Sequence, residues 1–180
     1  MEPVTPESLA LFLTRLGESC QQPALLYLVG GSALRLLGSP RETLDVDYMA
    51  DAPPEAAQEL RKAMAHLADE LHLDLEEVSL GDFIPLPPRA YERRRFIGRF
   101  GLLEVYLFDL YSIALSKIAR GFESDLEDVR FMLGSGAIEW ADLERDFHAI
   151  LPRAGSVDID PEEFRAYFAE LQRRHKANSM

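Results

Sequence analysis

Between Leu28 and Tyr48 the chain reads Leu-Val-Gly-Gly-Ser-Ala-Leu-Arg-Leu-Leu-Gly-Ser-Pro-Arg-Glu-Thr-Leu-Asp-Val-Asp-Tyr, and two patterns inside it suit one chemistry. Asp45 and Asp47 flank a single valine. On a strand, where side chains alternate with period two, both carboxylates project from one face with Cα atoms about 6.5 to 7 Å apart. Adjacent like charges repel, and a divalent cation resolves the conflict. Mg²⁺ takes one or two protein carboxylates together with substrate phosphates, and a two-metal site activates an attacking hydroxyl while stabilising a leaving pyrophosphate. Arg41 and Thr43 continue the alternation upstream, so the strand is expected to carry four polar side chains on one face.

The second pattern is Gly30-Gly31-Ser32, which follows the apolar run Leu25–Val29 and opens a segment of helical composition that ends at Gly38. The order is strand, tight turn, helix. Glycine lets a backbone approach a ligand closely, and a helix start offers unpaired N–H groups to an anion. Ser32 adds a hydroxyl that either caps the helix or meets a phosphate oxygen. Each half has an ordinary explanation, a plain turn for the glycines and a solvated strand face for the aspartates. Their combination at this spacing favours a metal–phosphate site, with Gly30, Gly31, Ser32, Arg41 and Thr43 on the nucleotide and Asp45 and Asp47 on Mg²⁺ or Mn²⁺. A Walker loop fits less well, because no Gly-Lys-Ser/Thr follows the first glycine at the required distance.

The elements that must hold these residues can be read from periodicity. Leu9, Phe12, Leu13 and Leu16 predict a helix over residues 6–18, and Pro53-Pro54 starts an amphipathic helix through His72 with Leu60, Met64, Leu67 and Leu71 on one side. Leu73–Leu80 reads as a strand, Pro85–Pro88 as a loop, and 93–100 with 102–108 as a hairpin across Gly101. Helices are expected over 109–120, 124–133, 140–150 and 161–175. Strands first and helices last predict an α+β fold: a mixed sheet with flanking helices over residues 1–110, and a helical extension over 111–180.

Composition sets the wider bounds. A chain of 180 residues that is 47% hydrophobic can bury one good core. Its one cysteine, Cys20, excludes an internal disulfide framework. Met1–Ser8 is acidic and proline-containing, unlike a signal or transit peptide, and no apolar run reaches membrane-spanning length, so a cytoplasmic protein is expected. A formal charge of −12 disfavours nonspecific nucleic-acid binding. Against that, Arg89, Arg93, Arg94, Arg95 and Arg99 fall within eleven residues, opposed only by Glu92. Such a strip suits a triphosphate or a polynucleotide backbone, and equally a charged hairpin edge that resists pairing between molecules. The four histidines show no metal-ligand spacing, Ser32 has no His and Asp partners for hydrolase chemistry, and Trp140 reads as a core anchor.

The Gly-Gly-Ser-Ala-Leu start and the Arg41-x-Thr43-x-Asp45-x-Asp47 string resemble the polymerase-beta-like nucleotidyltransferase superfamily. They look most like its small bacterial branch with AbiEii-type and MenT-type toxin nucleotidyltransferases and the DUF6036 family. The resemblance implies transfer of a nucleoside monophosphate from an NTP to an acceptor hydroxyl. tRNA, a protein and a small molecule stand as acceptors, and a cognate antitoxin as a partner. It also implies a third metal carboxylate on a later strand, which Glu104 looks like; a solvent-facing strand glutamate is the alternative. The string Ser116–Val129 resembles the downstream Lys-then-Asp-x-x-Asp motif. By that likeness Lys117, with Arg120, would bind the triphosphate, and Asp125 or Asp128 would anchor the Lys and Arg or assist the acceptor. Helix-end electrostatics and a Ser124–Glu127 capping box offer a structural alternative. A noncatalytic nucleotide-binding or protein-interaction module on the same fold is the rival reading; two intact adjacent carboxylates count against it.

Overall fold

The computed structural model describes residues 3–178; Met1 and Glu2, the start of the acidic Met1–Ser8 segment, lie outside the described residues. The chain divides into two compact units, one formed by the residues up to Val78 together with Arg94–Phe108, the other by Ser79–Arg93 together with the residues from Asp109 onward.

The first unit opens with α1 (Pro6–Ser19), started by a reciprocal cap in which the Ser8 amide donates to Thr5 Oγ1 and the Thr5 amide to Ser8 Oγ. β1 (Ala24–Leu28), α2 (Gly30–Leu36), β2 (Asp45–Asp51), α3 (Pro54–Leu71), β3 (Asp74–Glu77), and the hairpin β4 (Arg95–Phe100) and β5 (Leu103–Leu107) follow. The five strands form one mixed sheet in the order β3-β2-β1-β5-β4. β1 runs antiparallel to β2 and parallel to β5, and β3 is parallel to β2 because α3 carries the chain back between them. This is the α+β class with a mixed sheet and flanking helices that the sequence predicts.

Register assigns the two faces of the sheet. Leu26, Leu28, Val46, Leu103, Val105 and Leu107 share one face and are buried. α1 and α3 lie on that side, with Gly17 of α1 against Phe100 and Arg61 of α3 donating two hydrogen bonds of 2.7 Å to Glu77. The opposite face carries Asp45, Asp47, Met49 and Asp51 on β2, Leu25 and Tyr27 on β1, Glu104 and Tyr106 on β5, and Phe96 and Arg99 on β4.

The second unit holds the short α4 (Leu80–Phe83) and the helices α5 (Leu110–Arg120), α6 (Glu123–Gly134), α7 (Trp140–Ile150) and α8 (Pro161–Asn178). Its core includes Ile113, Ile118, Val129, Leu143, Phe147 and Phe164, and Trp140 packs between Phe168 and a stacked His175. Asp109 caps α5 by accepting from the amides of Tyr111 and Ser112. Among the described residues no helix is long and apolar enough to cross a membrane.

Candidate functional site

Asp45 and Asp47 stand at the start of β2 on the face away from α1 and α3, as their spacing requires. β3 lies in register beside them, with Asp74 opposite Asp45 and Glu76 opposite Asp47. The result is a cluster: one carboxylate oxygen from each of Asp45, Asp47 and Glu76 lies within 4.8 Å of the others. Three like charges at that separation in half-buried to exposed positions repel one another, and a hard cation that prefers oxygen ligands relieves the repulsion.

The strand does not begin at Arg41. Residues 41–44 precede β2 as irregular chain, yet Thr43 still reaches the cluster, its hydroxyl donating to Asp45 Oδ1 at 2.8 Å. The Val4 amide holds the Thr43 carbonyl at 2.8 Å, which fixes the approach. Arg41 is exposed and its backbone amide donates to Ser39 Oγ at 3.3 Å.

The glycine pair seats the carboxylates. Gly30 has φ +62°, and a Cβ there would lie 1.7 Å from Asp47 Oδ2; one on Gly31 would lie 2.7 Å from Thr43 Oγ1. The Val29 amide donates to the Asp47 carbonyl at 3.0 Å and ties the turn to β2. Only residues without a side chain admit this contact. Ser32 departs from its expected role: it is fully buried and its hydroxyl donates back to the Val29 carbonyl at 3.2 Å, because it falls in the first turn of α2 and not at its cap.

Glu104 is not part of the carboxylate cluster. It pairs in register with Leu25, and Leu25 with Asp51, so it lies level with the far end of β2 from Asp45 and Asp47. There it forms an ion pair with Arg99 and accepts a hydrogen bond of 2.9 Å from the Tyr106 hydroxyl, two contacts that hold its carboxyl below the usual carboxylate range. The third carboxylate beside Asp47 is Glu76, absent from the sequence-based site. Its signal was the strand–helix–strand order, which places the returning strand beside β2, combined with the alternation Asp74-Leu75-Glu76.

The downstream candidates gather in the second unit. Lys117, 4% exposed, donates to Asp128 Oδ2 at 2.7 Å and Asp125 Oδ1 at 3.4 Å, while Arg120 donates to both oxygens of Asp125 at 2.5 and 3.1 Å. The turn at Gly121 joins α5 to α6 and brings the two pairs together, as their spacing predicts. The basic strip divides. Arg93 is drawn onto buried Asp109 and Asp146 at 2.7 and 2.6 Å, and Arg89 onto Glu92 at 2.7 Å. Arg94, Arg95 and Arg99 belong to the sheet unit.

Residues 9–172 match the family described as "Nucleotidyltransferase of unknown function (DUF6036)". The chain belongs to that family. No curated protein matches this nucleotidyltransferase-family chain. Among solved structures it is similar to an antigenic nucleotidyltransferase-like protein from Paracoccidioides brasiliensis, at 19% sequence identity and a TM-score of 0.53, over 99% of this chain and 94% of that one. At that identity the likeness is one of fold.

Proposed function

We propose that this member of the nucleotidyltransferase family transfers a nucleoside monophosphate from an NTP to an acceptor hydroxyl. The observation that carries the reading is the cluster of Asp45, Asp47 and Glu76 seated against Gly30 and Gly31. The donor set fits Mg²⁺ or Mn²⁺: three carboxylate oxygens, with no nitrogen or sulfur donor in the cluster. Held by these residues, a divalent cation would screen the triphosphate from the carboxylates and stabilise charge developing on the phosphates.

The chain's own residues perform the rest. Thr43 fixes the rotamer of Asp45, and the bare Cα of Gly30 leaves the Asp47 carboxylate room at the end of β1. The half-buried Gly30-Gly31 backbone and the exposed Arg41 lie next to the cluster in sequence and would offer donors to the triphosphate. In the reaction the acceptor oxygen bonds the α-phosphorus and its proton passes to a cluster carboxylate or to water. The bond from the α-phosphorus to the bridging oxygen breaks, and pyrophosphate leaves with that electron pair. The Lys117–Arg120–Asp125–Asp128 cluster is assigned to bracing the α5–α6 junction, since its charges satisfy one another.

Calorimetric titration of the full chain with each NTP tests this reading. Binding is expected with Mg²⁺ or Mn²⁺ and should collapse in chelator, because carboxylates and triphosphate repel without a cation between them. Equal binding in both conditions would remove the metal assignment.

A further inference from the structure

The carboxylate cluster is wholly anionic, and an NTP seated there brings further negative charge on its β- and γ-phosphates, which calls for a cationic side chain nearby. The basic strip holds one that no carboxylate has taken. Arg93 is drawn onto Asp109 and Asp146, and Arg99 onto Glu104. Arg95 pairs in register with Leu107 and so stands on the face that carries α1 and α3. Arg94 differs from all three. Its guanidinium lies 4.5 Å from the centroid of the Tyr106 ring and donates to the Tyr27 hydroxyl at 2.9 Å, and among the described residues it forms no ion pair. Both of these partners are neutral, so its charge stays uncompensated.

The two tyrosines fix where that charge sits. Tyr27 of β1 is opposite Met49 of β2 and Tyr106 of β5, on the face that carries Asp45 and Asp47. The Tyr27 ring also meets the Phe108 ring edge-on, with centroids 5.7 Å apart. The Phe108 amide donates to the Leu28 carbonyl and the Val29 amide to the Asp47 carbonyl, so Phe108, Val29 and Asp47 are level across the sheet. Tyr27 therefore leans toward the end of the sheet that holds the cluster, its Cα about 8 Å from that of Asp47 by strand spacing and rise. It is 2% exposed and packed between Tyr106 and Phe108, which makes it a firm anchor. Stacking on Tyr106 uses the face of the guanidinium; the N–H donors in its plane that Tyr27 does not take stay open to an anion. Arg94 is exposed, so that anion can arrive from solvent.

We propose that Arg94, seated on Tyr27 and Tyr106, binds the β- and γ-phosphates of the NTP. The proposal rests on the transferase reading and adds to it the residue that meets the leaving group. As the bond from the α-phosphorus to the bridging oxygen breaks, the electron pair goes to pyrophosphate, and the guanidinium neutralises the charge gathering there. The site thereby prefers a triphosphate to a monophosphate, because a single phosphate seated at the cluster falls short of Arg94.

The test is calorimetric titration of the full chain in Mg²⁺ with each NTP and with the matching NMP. Arg94→Gln should weaken NTP binding about ten- to a hundredfold, the scale of one charge-assisted contact, and leave NMP binding as in the wild type. Arg94→Lys keeps the charge without the planar fork and should recover part of the loss. Arg95→Gln removes the same charge from the other face of the sheet and should leave NTP binding unchanged, which separates a contact from an effect of net charge. An Arg94→Gln protein that binds NTP as the wild type does, or that loses NTP and NMP alike, would overturn the assignment and leave the transferase reading standing. An equal loss in Arg95→Gln would do the same. A wild type that binds no NTP in Mg²⁺ would overturn the transferase reading and this assignment together.

Discussion

Asp47 Oδ2 occupies the space a Cβ on Gly30 would need: the two would be 1.7 Å apart. The glycine pair is therefore packed against the carboxylate cluster, apart from anything it does for a phosphate. Gly30→Ala should cost about 1 to 2 kcal/mol from its left-handed backbone alone and, by displacing Asp47, should abolish metal-dependent NTP binding. Gly38→Ala is the control, since Gly38 has φ +89° and nothing within 4 Å of its Cβ position. It should lower the melting temperature by a similar amount and leave NTP binding intact.

Glu76 and Glu104 make opposite predictions. Glu76→Gln removes one of three clustered oxygens, so Mn²⁺ affinity measured by titration should fall at least about tenfold, while the metal-free melting temperature stays level or rises as repulsion is relieved. Glu104→Gln should leave Mn²⁺ affinity unchanged. A loss of Mn²⁺ affinity confined to Glu104→Gln would restore the sequence-based ligand set.

Lys117→Met tests whether the buried ammonium braces the fold or serves an NTP. Its two carboxylate partners are 1% and 3% exposed, and removing one member of such a group typically costs about 3 to 5 kcal/mol. The expected result is a melting temperature many degrees lower with transfer per folded molecule nearly intact. A fold that survives while transfer drops about ten- to a thousandfold would instead put the ammonium on the triphosphate.

The Glu104 carboxyl is held low chiefly by the Tyr106 hydroxyl and then by Arg99. A carboxyl whose folded pKa is depressed contributes stability above its unfolded pKa, and that contribution is lost as pH falls through the folded value. Tyr106→Phe should therefore raise the Glu104 pKa toward the ordinary glutamate range, read by carbon-detected NMR of the carboxyl. In the wild type, the Arg99 and Tyr106 contacts should loosen only on the acid side of the ordinary glutamate range. An unchanged pKa in the variant would show that the hydroxyl does not bond the carboxylate in solution.

Residues close in sequence made their arrangement readable, and residues joined by topology did not. Asp45, Val46 and Asp47 declare their face by alternation, and Lys117 and Asp128 meet because one glycine turn joins their helices. Glu104 misled because a lone acid in an apolar strand says nothing about how far along the sheet it lands; the parallel register with β1 sets that, and places it opposite Leu25. Glu76 needed the crossover of α3 to be followed through to the next strand. Ser32 lost its outward role through a shift of less than one turn, since its hydroxyl points back to Val29 once the helix starts at Gly30.

The most direct test of the account is transfer itself. The full chain, incubated with each α-labelled NTP, Mg²⁺ or Mn²⁺, and total RNA, should release pyrophosphate and move label into an acceptor. Asp45→Asn with Asp47→Asn, at an unchanged or raised melting temperature, should do neither. Label transfer that survives in that double variant, or a double variant that no longer folds, would contradict the assignment of these carboxylates as the catalytic centre.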